Sequence, residues 1–364
     1  MQSPDLCSPS WRGLCLSRGA HVRYGIVTRY EYDLKTCGVS WCHCLASTTG
    51  STGNTSYNRG PMHSDARDLV TQLSAELENF EEIVTYLIPK PGDVPRLDGI
   101  DVCGGTLPLN GVVGGDHLIY LDFKQRFDLE TRIQQGLDEG RLDVVENLKR
   151  CQHMAGIALL DVSGHRVTDA LMTAMLHQAF LLGAIYELDM FGQVTRRLFE
   201  NLNSRFYQSS APHKFTSMIY GEITEEAGFR FLSAAQPFPV VFSNAHDRFM
   251  DVSPDLCVSF PPLGMVPSLH VTDRPQTTSP LGFKDRYQMN EWVLMGAGDI
   301  LLLCTDGLAE HHHRDADYFP ERLEELLRTV KHRTAADIFD AIKTDVLAFH
   351  APSDDISFVV VKRM

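Results

Sequence analysis

Residues 298–307 read GDILLLCTDG, and this stretch decides how the rest of the chain is interpreted. Residues 300–304 are consecutive apolar residues, a run typical of a buried strand. Asp306 follows shortly after this strand, with Gly307 beside it. A carboxylate at a strand end costs little free energy while it is solvated, and a glycine lets a ligand or a second backbone approach closely. The stretch therefore predicts a strand that places an aspartate in a site at its end.

Three more aspartates share this context, because each lies at the end of an apolar strand beside Gly, Ser or another Asp. They are Asp116 in GGD (residues 114–116), Asp161 in LLDVSG (residues 159–164) and Asp354 in SDDIS (residues 353–357). One such aspartate is most often a turn residue, whereas four of them in one chain point to a common site. Hard cations such as Mg²⁺ and Mn²⁺ bind carboxylates, backbone carbonyls and water. The set therefore predicts a metal site.

The order of strands and helices indicates an α+β fold. The strands follow one another in hairpin-like runs with long helices inserted between them, which is typical of antiparallel sheets covered by helices. Apolar runs and their periods predict each element. The predicted strands are residues 99–107, 116–123, 155–162, 217–223, 229–234, 239–242, 300–304 and 356–361, and the predicted helices are residues 165–183, 189–207, 320–331 and 335–348.

The N-terminal segment has the composition of a linker. It shows no sustained helical or strand period, and it ends in a stretch rich in Ser, Thr, Gly and Asn. We therefore expect residues 1–62 to be disordered. Met62 stands immediately before the first well-patterned element and is a candidate start of translation.

A single helix is predicted between this segment and the rest of the chain. Its apolar residues form a heptad seam at spacings of three and four. The seam residues are Val70, Leu73, Leu77, Phe80, Val84 and Leu87. We predict a linker element over residues 63–91 with a helix over residues 65–87, which ends where prolines exclude helix. Such a seam either packs on the domain of its own chain or pairs with a second copy in a homodimer.

Residues 124–153 are predicted to form a charged helical insertion between two strands. Its apolar residues at helical spacing are Leu129, Ile133, Leu137, Leu142, Val145 and Leu148. If the strands of Asp116 and Asp161 pair antiparallel, both aspartates lie at one end and the insertion at the other. Strand residues at about 3.3 Å each then separate the two by roughly 20 Å. We therefore expect a regulatory or oligomer-contacting hairpin and not an active-site lid.

The composition excludes several classes of function. The 364 residues include 47 acidic and 33 basic ones, for a formal net charge of −14, which argues against nucleic-acid binding through phosphate neutralisation. No apolar run approaches the ~18–20 residues of a membrane span, and no secretory signal is visible. Nine cysteines, an odd number, favour free thiols in a reducing compartment. We expect a cytoplasmic protein that neither spans a membrane nor binds nucleic acid.

The order of the motifs resembles that of a known enzyme family. GGD, DVSGH before a helix, an apolar strand leading into TDG, and a final DD before the last strand resemble the PPM-type (protein phosphatase 2C-like) serine/threonine phosphatases of the SpoIIE/RsbU branch. The resemblance covers about residues 97–364 and is closest in residues 108–116, 235–239, 262–264 and 298–307. It implies that residues 92–364 form the phosphatase domain, a sandwich of antiparallel β-sheets flanked by helices.

The resemblance also implies two Mn²⁺ or Mg²⁺ ions at the catalytic centre. Asp161 would bridge the ions, and the carbonyl of Val162 would bind one of them. Asp116 would belong to the shell of the second ion, and Asp306 and Asp354 to the shell of the first. The ions would activate a water for in-line attack on phosphorus and neutralise the phosphoryl oxygens.

The terminal motif and one turn leave questions open within this resemblance. Either Asp354 or Asp355 is the ligand in the terminal motif, and Asp354 is the one that aligns with the aspartate of the family. The family often has Gly-His before a Pro-x-Pro turn, where this chain has Ala235 and Gln236. Neither is a ligand position, so this departure is expected to affect substrate fit more than activity.

The resemblance implies hydrolysis of phosphoserine or phosphothreonine on a signalling partner. Similarity to RsbU-type proteins suggests that this partner is an anti-anti-sigma factor or a related STAS-domain protein in a partner-switching pathway. A phosphatase-like binding module without turnover is the alternative, although such a module would be expected to have lost some of the four aspartates. Hydrolysis of small phosphate compounds with the same ions is a third interpretation.

Overall fold

The structure describes most of the chain from residue 62 to its last residue. The computed structural model describes residues 62–109, 114–164, 167–209, 214–253, 257–269, 279–293 and 295–364. The disorder expected for residues 1–62 concerns residues outside this part, except for Met62, which begins a helix.

The first sheet contains the strand of the GDILLLCTDG motif. Its strands are β1 (Ile100–Leu107), β6 (Val240–Ser243), β7 (Arg248–Phe249), β10 (Ile300–Cys304) and β13 (Ile356–Arg363). They lie in the order β1-β13-β10-β6-β7, and all neighbours are antiparallel. β10 is central in this sheet and all its residues are buried, as its apolar sequence predicts.

The second sheet contains the strands next to Asp116 and Asp161. Its strands are β2 (Asp116–Asp122), β3 (Met154–Val162), β4 (Thr216–Thr224), β5 (Phe229–Ala234), β8 (Ser259–Phe260) and β9 (Asn290–Trp292). β2, β3, β4 and β5 are consecutive antiparallel neighbours, and β5 also pairs with β8 in parallel and with β9 antiparallel. A small separate hairpin consists of β11 (His312–His313) and β12 (Ala316–Asp317).

Helices follow or connect these strands. They are α1 (Met62–Thr85), α2 (Phe123–Arg126), α3 (Leu129–Asp138), α4 (Leu142–Cys151), α5 (Val167–Phe191), α6 (Arg196–Ser209), α7 (Asp306–Ala309), α8 (Glu321–Val330) and α9 (Ala335–Phe349). A short 3₁₀ helix, Pro91–Asp93, follows α1.

Buried apolar side chains fix the order of the layers. One cluster joins β1, β10 and β13 of the first sheet to β2, β3, β4 and β5 of the second, so the two sheets face each other. A second cluster packs α5 and α6 on the outer face of the second sheet. A third packs α8 and α9 on the outer face of the first sheet. The predicted α+β sandwich of antiparallel sheets flanked by helices is confirmed.

The boundary between α5 and α6 differs from the prediction. The sequence predicts helices over residues 165–183 and 189–207, but α5 continues to Phe191 and α6 begins only at Arg196. Gly183 does not end the helix, because its missing side chain admits α6: a Cβ atom there would lie 2.1 Å from Cδ1 of Leu198. The chain leaves α5 instead at Gly192, whose φ of +66° is typical of a helix C-terminus.

The predicted insertion folds as α2, α3 and α4, and only part of its apolar stripe is a packing face. The buried members of the stripe are Leu129, Val145 and Leu148. Leu137 and Leu142 are exposed to 44% and 67%. They lie on either side of the turn at Gly140, which has a φ of +72°, so the turn carries them away from the core.

The insertion also caps the C-terminal end of α5. The guanidinium of Arg141 donates to the carbonyls of Asp189 and Met190, at 2.5 and 2.9 Å. The side-chain amide of Asn147 donates to the carbonyl of Phe191 at 2.7 Å. The last carbonyls of a helix have no partner within the helix, so these bonds satisfy them. The insertion therefore braces one end of α5.

The heptad seam of α1 divides into two halves. Val70, Leu73 and Leu77 in the first half are exposed, whereas Val84 in the second half is 2% exposed. The second half thus packs on the domain of its own chain, and the first half does not. The packing interpretation therefore holds for the second half of the seam, and pairing of the first half with a second copy stays a prediction.

Among the residues that the structure describes, one helix is long and apolar enough to pass a test for a membrane span. It is Asp169–Phe191 within α5, and 39% of its apolar 18-residue window is buried within the protein. Core helices of soluble proteins pass the same test, so the expected absence of a membrane span stays a prediction.

Candidate metal centre

Asp116 and Asp161 lie directly opposite each other on neighbouring strands. β2 and β3 pair antiparallel, with Asp116 in register with Asp161. The insertion joins the other ends of these two strands, since it lies between Asp122 and Met154. Residues opposite each other in an antiparallel pair have Cβ atoms about 4.5–5.5 Å apart. Strand pairing alone therefore brings two of the predicted site residues together.

Asp306 and Asp354 come from the first sheet. Asp306 is the first residue of α7, just after β10, and Asp354 lies just before β13. β10 and β13 are paired antiparallel, so both aspartates lie at the same end of that sheet. Thr305 joins the two sheets, because its hydroxyl donates to Oδ2 of Asp116 at 2.8 Å. The structure thus gathers the four predicted aspartates where the ends of the two sheets meet.

Burial is the largest cause that raises the pKa of three of these carboxyls. Asp116 is 3% exposed, and burial followed by the charge of Asp161 raises its pKa well above the usual range. Burial and the charge of Asp306 raise the pKa of Asp161 to about 7. Burial and the charge of Asp354 also raise the pKa of Asp306. The carboxylates repel one another in a poorly solvated space, which favours a bound cation or proton.

This set of donors fits a hard divalent cation. Within the described residues, no lysine or arginine forms an ion pair with any of the four aspartates. In the same part of the chain, no three His, Cys, Asp or Glu side chains lie close enough together to enclose one ion. Mg²⁺ usually keeps several waters and takes one or two protein carboxylates, so an ion here does not require such a group. Carboxylate and carbonyl oxygens are the ligands that Mg²⁺ and Mn²⁺ prefer.

Asp355 has surroundings unlike those of its neighbour Asp354. It is 2% exposed, and its carboxylate accepts hydrogen bonds from the backbone N–H groups of Leu109 (2.6 Å), Gly115 (2.7 Å) and Asp116 (3.5 Å). Asp354 is exposed. The carboxylate of Asp355 therefore fastens the backbone that leads into Asp116.

Three glycines of the motifs make this close packing possible. A Cβ atom at Gly114 would lie 2.0 Å from the carboxylate of Asp355, and one at Gly307 would lie 1.9 Å from the carbonyl oxygen of Asp355. A Cβ atom at Gly115 would lie 2.4 Å from the carbonyl oxygen of Gly164. Any side chain at these positions would push the strand ends apart.

A chain of hydrogen bonds reaches Asp161 from Gln236. The amide Nε2 of Gln236 donates to Oγ of Ser217 at 3.0 Å, and the hydroxyl of Ser217 donates to Oδ2 of Asp161 at 3.1 Å. Because an amide NH₂ group only donates, Ser217 keeps its own hydrogen for the carboxylate. Gln236 is 5% exposed. Gln236 thus supports Asp161 through Ser217. The expected effect of this departure on substrate fit stays a prediction.

The predicted acids carry local sequence signals, whereas the supporting roles of their neighbours do not show in the sequence. Gln236 and Asp355 stand out there only as a departure from the family and as a candidate ligand, and Ser217 carries no local signal. Their supporting contacts are with partners that are distant in sequence. Thr305 had one available signal, since it stands beside Asp306 in the motif. The loop residues 110–113 and 165–166 lie outside the described part of the chain.

Comparisons with known proteins identify the family to which the chain belongs. Residues 152–364 match the family described as stage II sporulation protein E (SpoIIE), over more than half of the chain. The chain belongs to the SpoIIE family. This family is a branch of the PPM-type phosphatases, so the resemblance seen in the sequence is confirmed. The SpoIIE match includes Asp161, Asp306 and Asp354, and it begins after Asp116. A search of curated proteins gives no significant match.

Solved structures share the SpoIIE fold at low sequence identity. The RsbU and RsbW domains of a Mycobacterium tuberculosis protein are 19% identical at a TM-score of 0.50, with 74% of this chain and 61% of that one covered. The PP2C domain of Bacillus subtilis SpoIIE with a fragment of its regulatory domain is 14% identical at 0.50, with 73% and 64% covered. The SiaA-PP2C domain of Pseudomonas aeruginosa is 15% identical at 0.54, with 84% and 100% covered. The chain thus spans less than two thirds of the first two, and the likeness concerns the fold.

Proposed function

We propose that the chain is a metal-dependent phosphatase that hydrolyses phosphoserine or phosphothreonine on a protein. The observation that carries this proposal is the meeting of Asp116, Asp161, Asp306 and Asp354 at the ends of two sheets. Membership of the SpoIIE family supports it. Two Mn²⁺ or Mg²⁺ ions are the group that we propose these residues hold.

The residues of the chain would hold the ions in a fixed arrangement. Asp161 faces Asp116 across the strand pair. The charges of Asp306 and Asp354 also raise its pKa, so it lies near both. This central position would suit a ligand that both ions share. The carbonyl of Val162, next in sequence, would be a further oxygen ligand. When bound, the ions would supply Lewis-acid stabilisation of a phosphoryl group and activation of a water. No side chain needs to become phosphorylated in such a reaction.

Asp354 is the ligand that we propose for the terminal motif. The carboxylate of Asp355 already accepts three backbone hydrogen bonds, which occupies most of its acceptor sites. Asp354 is exposed, and its charge contributes to the raised pKa of Asp306. We therefore assign metal binding to Asp354 and support of the Asp116 segment to Asp355.

The proposed substrate is a phosphorylated STAS-domain or anti-anti-sigma protein. The resemblance to RsbU-type phosphatases supports it, because partner switching with such proteins is what this branch of the family implies. The proposed setting is cytoplasmic signalling to a sigma factor, as in a stress response. The net charge of −14 supports a protein partner over nucleic acid.

The domain organisation that we propose follows the sequence and the elements. Residues 92–364 would be the catalytic domain with the insertion at about 124–153, and residues 63–91 the linker helix. The exposed first half of the α1 seam supports homodimerisation through residues 65–87. Dimerisation through this helix would regulate the activity of the catalytic domain and would not contribute residues to the active site.

Hydrolysis of p-nitrophenyl phosphate by the purified full chain tests the proposal. We expect turnover that requires Mn²⁺ or Mg²⁺ and stops when EDTA removes the ions. A phosphorylated STAS-domain protein would then be offered as substrate, with free serine phosphate as a comparison. Faster turnover of the phosphoprotein supports a protein phosphatase, and equal or faster turnover of the small compound supports a small-molecule hydrolase.

The second candidate function is a binding module without turnover. The presence of all four aspartates argues against it, since such a module has no need to keep buried charges together. Its signature would be tight binding of the phosphoprotein by the parent chain with no phosphate release at any Mn²⁺ concentration.

A further inference from the structure

The buried face of α5 carries polar side chains at a regular spacing. Asp169, Thr173 and His177 are four residues apart, so they lie along one side of the helix. Their exposed fractions are 0%, 0% and 8%. The same helix continues with buried Leu176 and Phe180, which is the usual composition of a core-facing stripe. Burying these polar groups in the first turns of α5 costs folding free energy unless each group forms a hydrogen bond or an ion pair.

Thr173 binds the residue that precedes Asp116. Its hydroxyl lies 3.0 Å from the carbonyl oxygen of Gly115 and 3.1 Å from that of Asp169, so it shares one hydrogen between two acceptors. The carbonyl of Gly115 also accepts from the N–H of Val162 at 3.2 Å. One carbonyl group thus ties α5 to the backbone beside both Asp116 and the strand end of β3.

His177 binds the residue that follows Asp116. Its Nδ1 lies 2.7 Å from Nε2 of His117, and both rings are buried. Burial lowers the pKa of His117 to about 3 and that of His177 to about 4. Both rings are therefore neutral near pH 7, and one nitrogen donates while the other accepts.

Asp169 extends the same face towards the end of β3. It forms an ion pair with Lys214, and the ammonium of Lys214 also donates to the carbonyl of Ser163 at 2.9 Å. Gly164 packs against this pair, because a Cβ atom there would lie 2.5 Å from the carboxylate of Asp169. The N-terminal turns of α5 thus contact both strand ends that carry the second-sheet aspartates.

We propose that Thr173 and His177 are positioning residues for Asp116. Neither touches the proposed ions or a substrate; each binds the backbone or side chain of a residue adjacent to Asp116. They fix the segment on both sides of the carboxylate, so that it points to the ions without reorganising when they bind. The inference rests on the proposed metal site.

Mn²⁺ binding by the metal-freed full chain, measured by calorimetry, tests this inference. Thr173→Val keeps the shape of the side chain and removes the hydroxyl, and Thr173→Ser keeps the hydroxyl. Thr344→Val is the control for loss of a hydroxyl that bonds the carbonyl four residues earlier in a helix, here that of Asp340 at 2.7 Å, at an exposed position of α9. Loss of a supporting hydrogen bond to a metal ligand typically weakens metal affinity about 10–100-fold.

We expect Thr173→Val to bind Mn²⁺ about 10–100-fold more weakly, with Thr173→Ser and Thr344→Val close to the parent. We also expect kcat of Thr173→Val towards p-nitrophenyl phosphate to recover at saturating Mn²⁺, since a positioning defect is overcome by mass action. Parent-like Mn²⁺ affinity in Thr173→Val would show that Thr173 is only a packing residue. An equal loss in Thr344→Val would show that the effect is one of general stability.

His177→Phe provides the second test, and it decides the matter if Thr173→Val does not fold. Phenylalanine fills the space of the ring and removes the hydrogen bond to His117. We expect weaker Mn²⁺ binding again, and an unchanged affinity would overturn the inference. If the parent chain itself binds no Mn²⁺, the proposed function fails first. If the parent binds and these variants bind equally well, only the inference about α5 fails.

Discussion

The two sheets hold their aspartates in different ways. Asp116 and Asp161 lie on paired strands and in register, with Asp116 buried and Asp161 partly buried. Asp306 and Asp354 lie just beyond strand ends, and Asp354 is exposed. The second sheet therefore offers a fixed pair of proposed ligands, and the first sheet offers a pair of proposed ligands on short connections. We infer that Asp116 and Asp161 set the position of the ions and that Asp306 and Asp354 adapt to them.

The largest expected effect is the loss of turnover when either pair loses one charge. Asp161→Asn and Asp306→Asn should each lower Mn²⁺-dependent hydrolysis by about a thousandfold or more, because metal-assisted catalysis depends on several kcal/mol of charge stabilisation. Circular dichroism should show an intact fold in both. Asp143→Asn, at an exposed position in the insertion, is the control. Near-full activity in either site variant would remove that residue from the proposed site.

A second prediction separates the two neighbours of the terminal motif. Asp355→Ala leaves buried backbone N–H groups without a partner, so the free energy of unfolding should fall by about 2–4 kcal/mol. Asp354→Ala, at an exposed position, removes one hydrogen bond, from the N–H of Asp355 at 2.8 Å, so it should lower this free energy by only about 1 kcal/mol while weakening Mn²⁺ binding. Urea unfolding and Mn²⁺ titration of both variants give the comparison. If the two effects were exchanged, Asp355 would be the ligand.

A third prediction concerns the stability of the metal-free chain against pH. The pKa of Asp161 is raised to about 7 in the folded state, so the folded chain holds more protons than the unfolded chain between about pH 4 and pH 7. Stability must then fall as pH rises through this window, by an amount on the order of 1–3 kcal/mol from this site.

Thermal unfolding in EDTA between pH 5 and pH 8 measures this fall. Asp161→Asn cannot ionise, so it should show a flatter profile and be the more stable chain at pH 8. Added Mn²⁺ should restore stability to the parent at high pH and do less for the variant. A parent profile that rises between pH 5 and pH 7 and matches that of the variant would contradict the raised pKa.

The smallest expected effect comes from α1, which approaches the site on the side of Asp116. Ile88 and Pro89, just after α1, line a cavity of about 70 Å³ together with Asp116 and His117. The segment just after α1 thus lies beside a cavity that Asp116 also lines. We expect dimerisation through α1 to change the affinity of the proposed ion site at Asp116. We expect it to leave the affinity of the proposed ion site at Asp306 unchanged.

Leu77→Asp with Phe80→Asp tests that connection. Leu77 is 41% exposed, and charge buried in a dimer seam should give monomers. The seam is short, so association of the parent should be modest and dependent on concentration. Thr71→Asp with Ser74→Asp, off the seam, is the control. Sedimentation of the double variant as the same species as the parent would make the seam a packing face only, and a fully active monomer would make α1 an assembly element.

Much of the fold could be predicted because several of its strands are apolar runs with an aspartate at or near one end. β2, β3, β10 and β13 were found in this way, and the aspartate beside each was found with it. The break between α5 and α6 could not be predicted, because Gly183 is a helix-ending signal in sequence and a packing contact with Leu198 in space. The packing contact with Leu198, which is not visible in the sequence, explains why the helix continues past Gly183.

The support of the site was harder to predict than its ligands. Asp355 looks like a second ligand in sequence, and only its three backbone partners show what it binds. Thr173 and His177 lie inside an apolar helix, where a polar residue is most simply expected to be a tolerated core residue. Their partners, Gly115 just before β2 and His117 within it, are far away in sequence. Short strands such as β7 and β8 were missed because two residues carry no periodic signal.

The most direct test of the central claim is a calorimetric titration of the metal-freed full chain with Mn²⁺. If both sheets contribute to one centre, the parent should bind two ions per chain, and Asp116→Asn and Asp306→Asn should each lose at least one of them. Binding by either variant with the stoichiometry and affinity of the parent would contradict a centre shared by the two sheets.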